Sequence, residues 1–187
     1  MIKTKLATLS CAMLLLLPGC ASYEPAPDGF HAVLNQPYHL DSGDVLKLIV
    51  FGDDGLTGSY PVDKAGYVAV PLVGDVPARG RTADQLEVEL ADRFRDGYLN
   101  DPDVTVQVER YRPFFIMGEV TTGGQYSYVP GMTVQKAVAI AGGYTARAEQ
   151  SSVDITRQIG DQVITGRVQA SDPLLPGDTV YVRERWF

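Results

Sequence analysis

Thiols are nearly missing from this sequence. Of its 187 residues only two are cysteine, Cys11 and Cys20, and both fall within the first twenty. Beyond residue 20 the chain can build no disulfide, no thiolate–zinc site and no thiol nucleophile. Histidine is just as scarce: His31 and His39 are the only two, and neither stands in a triad, metal or phosphate motif. Long apolar runs are missing too. The most apolar stretch, Leu6 to Leu17, is interrupted by Thr8 and Ser10 and falls short of the ~20 residues that a spanning helix needs. Positive charge is outnumbered, with 16 Lys and Arg against 23 Asp and Glu. That balance removes the electrostatic case for nucleic acid or an anionic lipid surface. What remains is 45% hydrophobic, enough for one or two small cores, and its 19 glycines and 12 prolines imply many tight turns between short strands.

The N-terminus has the anatomy of a secretory signal: Lys3 and Lys5, the short apolar core, then a break at Leu17-Pro18-Gly19-Cys20. The break resembles the lipobox of bacterial lipoproteins, although Pro18 departs from the usual small or hydroxyl residue. The resemblance implies a signal peptide over 1–19 and lipid attachment at Cys20. Cys11 would leave almost no apolar core before it. Removing residues 1–19 takes away two lysines and no acid, leaving 14 bases against 23 acids, a net charge of −9. Residue 21 is Ala rather than Asp, which by resemblance to lipoprotein sorting favours the outer membrane, facing the periplasm. Residues 20–37 contain Pro25, Pro27, Gly29 and Pro37 with little periodicity. They read as a tether, the alternative being an ordered arm packed on a neighbour.

The body reads as α+β, short strands flanking few helices. Ser42-Gly43-Asp44 turns into an apolar strand, Val45 to Phe51. Strands near Tyr60–Val62 and Tyr67–Val70 flank a hairpin-like Lys64-Ala65-Gly66 turn. Thr82, three residues before Gln85, marks a capping box. It opens an amphipathic helix whose stripe is Ala83, Leu86, Leu90 and Phe94, with Gly97 to end it. Val104 to Val108 alternates as a strand with one buried face. Further strands are expected at Phe114–Val120, Tyr126–Val129, Val153–Arg157, Val163–Arg167 and Thr179–Arg183. A short helix, Val134–Ala141, is capped by Thr133 and closed by Gly142-Gly143.

One pattern occurs twice. Leu40-Asp41-Ser42-Gly43-Asp44-Val45-Leu46 is echoed by Leu174-Leu175-Pro176-Gly177-Asp178-Thr179-Val180. In each, glycine can take the special backbone angle and aspartate can hold the turn through local backbone bonds. Gly43, Asp44, Gly177 and Asp178 are therefore structural turn residues, each aspartate worth about 1 kcal/mol, the scale of one local hydrogen bond. A catalytic reading of either carboxylate has no base, nucleophile or metal ligand at motif spacing to support it.

Ordered motifs along ~150 residues, the length of two modules, carry a wider resemblance. Residues 38–110 resemble the polysaccharide biosynthesis/export domain of Wza-type outer-membrane proteins. The matching segments are Tyr38-His39-Leu40, Gly43-Asp44-Val45-Leu46, Val62-Asp63-Lys64-Ala65-Gly66-Tyr67, Pro71-Leu72-Val73-Gly74, Gly80-Arg81-Thr82 and Asp101-Pro102-Asp103-Val104. Residues 111–187 resemble an SLBB domain, a β-grasp module, through Gly118-Glu119-Val120, Gly124-Gln125-Tyr126, Thr133-Val134 and Ala141-Gly142-Gly143. Gln125 replaces the commoner Pro-Gly order at its turn.

The resemblance implies no catalytic residue, metal or cofactor. It implies a homo-oligomer ring whose lumen carries capsular polysaccharide or exopolysaccharide as substrate, working with an inner-membrane polysaccharide co-polymerase. Arg79, Arg81, Arg110, Tyr111 and Arg112 are the candidates to face a partner, a lumen or a glycan, against the plainer reading of solvated or internally paired side chains. Longer relatives continue past their SLBB domains into a pore-forming amphipathic helix. The last thirty residues contain no spanning segment, since Asp161, Arg167, Asp172, Pro173, Pro176 and Asp178 interrupt them. The expectation is that polymer passes to a separate outer-membrane β-barrel porin. A glycan- or peptidoglycan-binding envelope lipoprotein without a transport role is the alternative, and an enzyme the third reading.

Overall fold

A computed structural model describes residues 26–186. The signal peptide and the lipid attachment expected at Cys20 lie outside them. Strand β1, Val45–Val50, alternates buried Leu46, Leu48 and Val50 with more exposed neighbours. It is central in a three-stranded antiparallel sheet between β2, Gly58–Pro61, and the later β5, Val104–Arg110. The next two strands, β3 (Tyr67–Val70) and β4 (Gly74–Pro77), pair with each other in a two-stranded sheet.

The turn at Lys64-Ala65-Gly66 is present, but its hairpin is one bridge long, Val62 to Val68. The carbonyl of Gly66 accepts the amides of Ala78 and Arg79, which draws β3 toward the segment after β4 and away from β2. Strand β4 was not expected because Gly74, Asp75 and Pro77 are poor strand formers.

The main helix, Ala83–Arg95, opens with the expected capping box. Gln85 N donates to Thr82 Oγ1 and Thr82 N to Gln85 Oε1, at 3.3 and 3.0 Å. Leu86, Leu90 and Phe94 are its buried face, and they close a core with Leu46, Leu48, Val68, Val76 and Val106. Glu87 Oε1, on the same helix, accepts the amide of Val106 at 2.7 Å, satisfying a donor on the edge strand β5. This core is the first module.

The second module is a five-stranded mixed sheet in the order β7-β6-β10-β8-β9. These strands are β6 (Phe114–Gly118), β7 (Gly124–Tyr126), β8 (Val153–Ile159), β9 (Gln162–Val168) and β10 (Thr179–Val182). Two hairpins, β6–β7 and β8–β9, receive β10 between them, parallel to β6 and antiparallel to β8. The helix Val134–Ile140 lays Val134, Ala137 and Val138 into the core. The chain is α+β, with a β-grasp second module. The strand expected over Tyr126–Val129 ends at Tyr126. Gly118 is obligatory in its position, because a Cβ there would lie 2.0 Å from the Val182 carbonyl oxygen.

The tether expected over residues 20–37 is not what the described part of it forms. Asp28–Ala32 is a helical turn and Val33–Asn35 a single 3-10 turn. Ala26 and Phe30 belong to the second module's core, with Phe30 only 1% exposed. Two features hold them. Gly166 on β9 has no Cβ, and one placed there would lie 2.5 Å from the Ala26 Cβ. The Arg157 guanidinium stacks 4.3 Å from the centre of the Phe30 ring and donates to the Phe30 carbonyl at 3.0 Å. Residues 26–35 are an ordered arm, docked on the chain's own second module.

Candidate functional site

The two echoed turns share one chemistry. Gly43 and Gly177 sit at φ 92° and 88°, in the left-handed region that favours glycine. Asp44 Oδ2 accepts the amide of Asp41 at 2.9 Å, and Asp178 Oδ2 the amide of Leu175 at 2.8 Å. Each aspartate also returns its own amide to the carbonyl of the same residue. Both carboxylates are buried, at 0% and 1% exposure, and burial at that level requires partners.

Arginine supplies them. Asp178 is closed by a two-point ion pair with Arg157, Nε to Oδ1 at 2.9 Å and Nη2 to Oδ2 at 2.7 Å. Burial raises the Asp178 carboxyl's pKa, against the pull of that guanidinium and of the Leu175 amide. Asp44 reaches into the segment that joins the modules. Its Oδ1 accepts the Arg112 amide at 2.8 Å, and its Oδ2 faces Arg112 Nη1 at 3.3 Å. Tyr38 donates its hydroxyl to Asp44, 2.7 Å from Oδ2, and accepts from Arg112 Nη1, also at 2.7 Å. Burial raises the Tyr38 pKa far above its ordinary range; the Arg112 charge opposes this and the Asp44 carboxylate adds to it. The hydroxyl therefore stays a donor. Arg112 lies against both turns, since a Cβ at Gly43 would be 3.4 Å from its Cβ and one at Gly177 2.8 Å from its Nε.

Between the modules opens a cleft of about 700 Å³, lined by residues 33–34 and 36–41 and by Arg79, Tyr111, Arg112, Tyr128, Arg157 and the Asp178 turn, among others. Of the five contact candidates, three come together there: Arg79, Tyr111 and Arg112. Arg79 Nε donates to Asp41 Oδ1 at 2.8 Å, and its Nη2 bonds Ser42 and the Lys64 carbonyl. For Asp41 burial acts upward, but bonds from Arg79 and the Ser42 amide, with the nearby Arg112 charge, leave its pKa below the usual carboxylate value. Arg81 instead pairs with Glu89 of the helix at 3.2 Å. Arg110 is exposed at the end of β5, where it pairs with Val45 through the backbone, and its side chain makes no hydrogen bond or ion pair among the described residues. His39 is exposed on the cleft wall, and His31 stands edge-on to Phe30.

Sequence reasoning passed over Tyr38, Asp41, Tyr128 and Arg157 as contact residues. Arg157 had a signal: it follows Val153 and Ile155 on the inward face of a strand, where a charge is out of place unless it is paired. No group of three or more His, Cys, Asp or Glu that could hold a metal occurs among the described residues, and no described helix is long and apolar enough to cross a membrane.

A small α+β module is thus joined to a β-grasp module through Asp44, Arg112 and Tyr38. Residues 32–109 match the sequence model for polysaccharide biosynthesis/export proteins, and residues 113–168 match the SLBB domain. The chain belongs to the polysaccharide biosynthesis/export family and carries one SLBB domain. It is 38% identical over 90 residues to the exopolysaccharide production protein ExoF of Rhizobium meliloti, covering 47% of this chain and 21% of ExoF. It is 30% identical over 165 residues to the EPS I polysaccharide export outer membrane protein EpsA of Ralstonia nicotianae, covering 73% of this chain and 43% of EpsA. Against the polysialic acid transport protein KpsD of Escherichia coli it is 27% identical over 154 residues, or 81% and 27% of the two chains. The chain thus spans less than half the length of these curated relatives.

Proposed function

We propose that this chain is a periplasm-facing, lipid-anchored component of a machine that exports capsular polysaccharide or exopolysaccharide across the outer membrane. The observation that carries the reading is the export module followed directly by an SLBB module, in a chain whose relatives are named for polysaccharide production, export and transport. Residues 38–110 and 111–187 act as the two modules, Cys20 carries the lipid, and the described arm ties the anchor segment to the second module. The chain assembles as a homo-oligomer ring, meets an inner-membrane co-polymerase and hands polymer to a separate outer-membrane β-barrel. The edge strands of the two larger sheets, β2, β5, β7 and β9, support assembly, since open edges call for a neighbour or a cover. The role is one of binding and passage, without catalysis.

Deleting the gene tests the role: surface polymer should disappear and return with wild-type protein, while Cys20→Ser should fail to restore it though the body folds. Intact-mass measurement of the detergent-extracted protein should find diacylglycerol at Cys20 and a multiple of the protomer mass. Unchanged surface polymer in the deletion strain would remove the export role.

A further inference from the structure

We infer that the cleft between the modules is a binding site for a neutral stretch of glycan, gripped by Tyr111 and Tyr128. The inference rests on the export reading for the class of ligand and on the cleft's own chemistry for the rest. Tyr111, in the joining segment, stands edge-on between Tyr38 and Tyr128, its ring centre 5.0 Å from the first and 5.5 Å from the second. The three rings come from the segment before β1, the module joint and the second module, so they exist as a group only when both modules are docked. All three are half-buried.

Their hydroxyls are not equivalent. That of Tyr38 is committed to Asp44 and Arg112. Those of Tyr111 and Tyr128 make no hydrogen bond among the described residues and are available to a ligand. Aromatic bodies with polar tips suit a ligand that is apolar on the faces of its rings and hydroxylated at their edges, as a hexose is. The volume of about 700 Å³ lies in the range of sites that enclose a ligand.

Charge selects among glycans. Asp41 is shared by Arg79, at 2.8 Å, and Arg112, at 3.9 Å, and Arg157 is closed on Asp178. A uronic or sialic carboxylate would meet guanidiniums that already face carboxylates, and would have to displace one. A neutral sugar meets no such competition and can bond the planar Asp41 and Arg79 groups at their free edges.

The test is calorimetric titration of the full-length, detergent-solubilised protein with cellohexaose, laminarihexaose, oligosaccharides cut from the producing strain's own polymer, and oligogalacturonate as the acidic comparator. At least one neutral oligosaccharide should bind about tenfold more tightly than oligogalacturonate. Tyr111→Ala and Tyr128→Ala should each weaken it about tenfold, the scale of one lost ring contact with its hydroxyl. Tyr111→Phe and Tyr128→Phe keep the rings and should lose only severalfold, which separates lost binding from lost folding. Arg110→Ala, beside the cleft but outside it, should bind as wild type does. Absence of neutral binding, preference for oligogalacturonate, or tyrosine variants that change only the oligomer mass would each overturn the inference. The outcomes separate the two readings. Export lost on deletion with no glycan bound sinks the site and leaves the export role; glycan bound with export intact on deletion does the reverse.

Discussion

Gly177 leaves the room that Arg112 occupies: a Cβ on Gly177 would stand 2.8 Å from the Arg112 Nε. Gly177→Ala therefore meets two obstacles, a collision with Arg112 and a φ of 88° that side-chain-bearing residues resist by ~1–2 kcal/mol. Chemical denaturation should show at least that loss. Adding Arg112→Ala should recover the part due to collision, and a double-mutant cycle measures it.

The two turn aspartates should differ in what their loss costs. Asp178→Ala strands Arg157, whose side chain is 2% exposed, and removing one partner of a buried pair typically costs ~3–5 kcal/mol. Asp44→Ala leaves Arg112, 22% exposed, able to reach water. Its cost should be nearer ~1–3 kcal/mol, that of buried amides and a hydroxyl left without an acceptor. The figure of about 1 kcal/mol, expected when each aspartate was credited with one turn bond, is too low for Asp178. Equal losses in parallel melts would contradict this asymmetry.

Acid should loosen the junction through Asp41. Its folded pKa is lowered, so its contribution is complete above the unfolded pKa and disappears as pH falls through the folded value. Thermal stability should therefore drop on going below about pH 4. Asp41→Asn should be less stable at neutral pH and show a shallower fall over that acid range. A variant with the wild-type acid profile would place the loss elsewhere.

The arm gives a further test. Phe30→Ala removes a fully buried ring together with its contact to Arg157, and should cost ~3 kcal/mol. Gly166→Ala should expel Ala26, whose Cβ would lie 2.5 Å from the new one. Both variants should expose residues 26–35 to limited proteolysis while the wild type resists. A freely moving tether would be cut equally in all three.

Legibility followed sequence distance. The capping box at Thr82 and Gln85, the stripe of Leu86, Leu90 and Phe94, and the alternation of Val104 to Val108 are local patterns, and each reappears in the fold. The Gly-Asp turns were readable because their defining bonds reach three residues. Their arginines were not: Asp44 meets Arg112 from 68 residues away and Asp178 meets Arg157 from 21, separations that only topology closes. The arm was misread for the same reason. Phe30 looks like one aromatic in a Pro- and Gly-containing stretch until Arg157, 127 residues on, covers it. Arg81 and Arg110 were grouped with Arg79 and Arg112 on residue type, and type does not reveal that a helix carboxylate claims one and solvent the other.

Strand β10 sits at the middle of its sheet, yet it follows every other strand of the module in the chain. Phe115 waits for Thr179, 64 residues later, to pair with it. During synthesis the hairpins β6–β7 and β8–β9 can each form, but they have nothing to join them until residues 179–182 arrive. The same late segment brings Asp178 to Arg157 and so completes the clasp on Phe30. Such contacts, distant in sequence, form slowly. The last strand thus works as a keystone: the module stays separable until it is set.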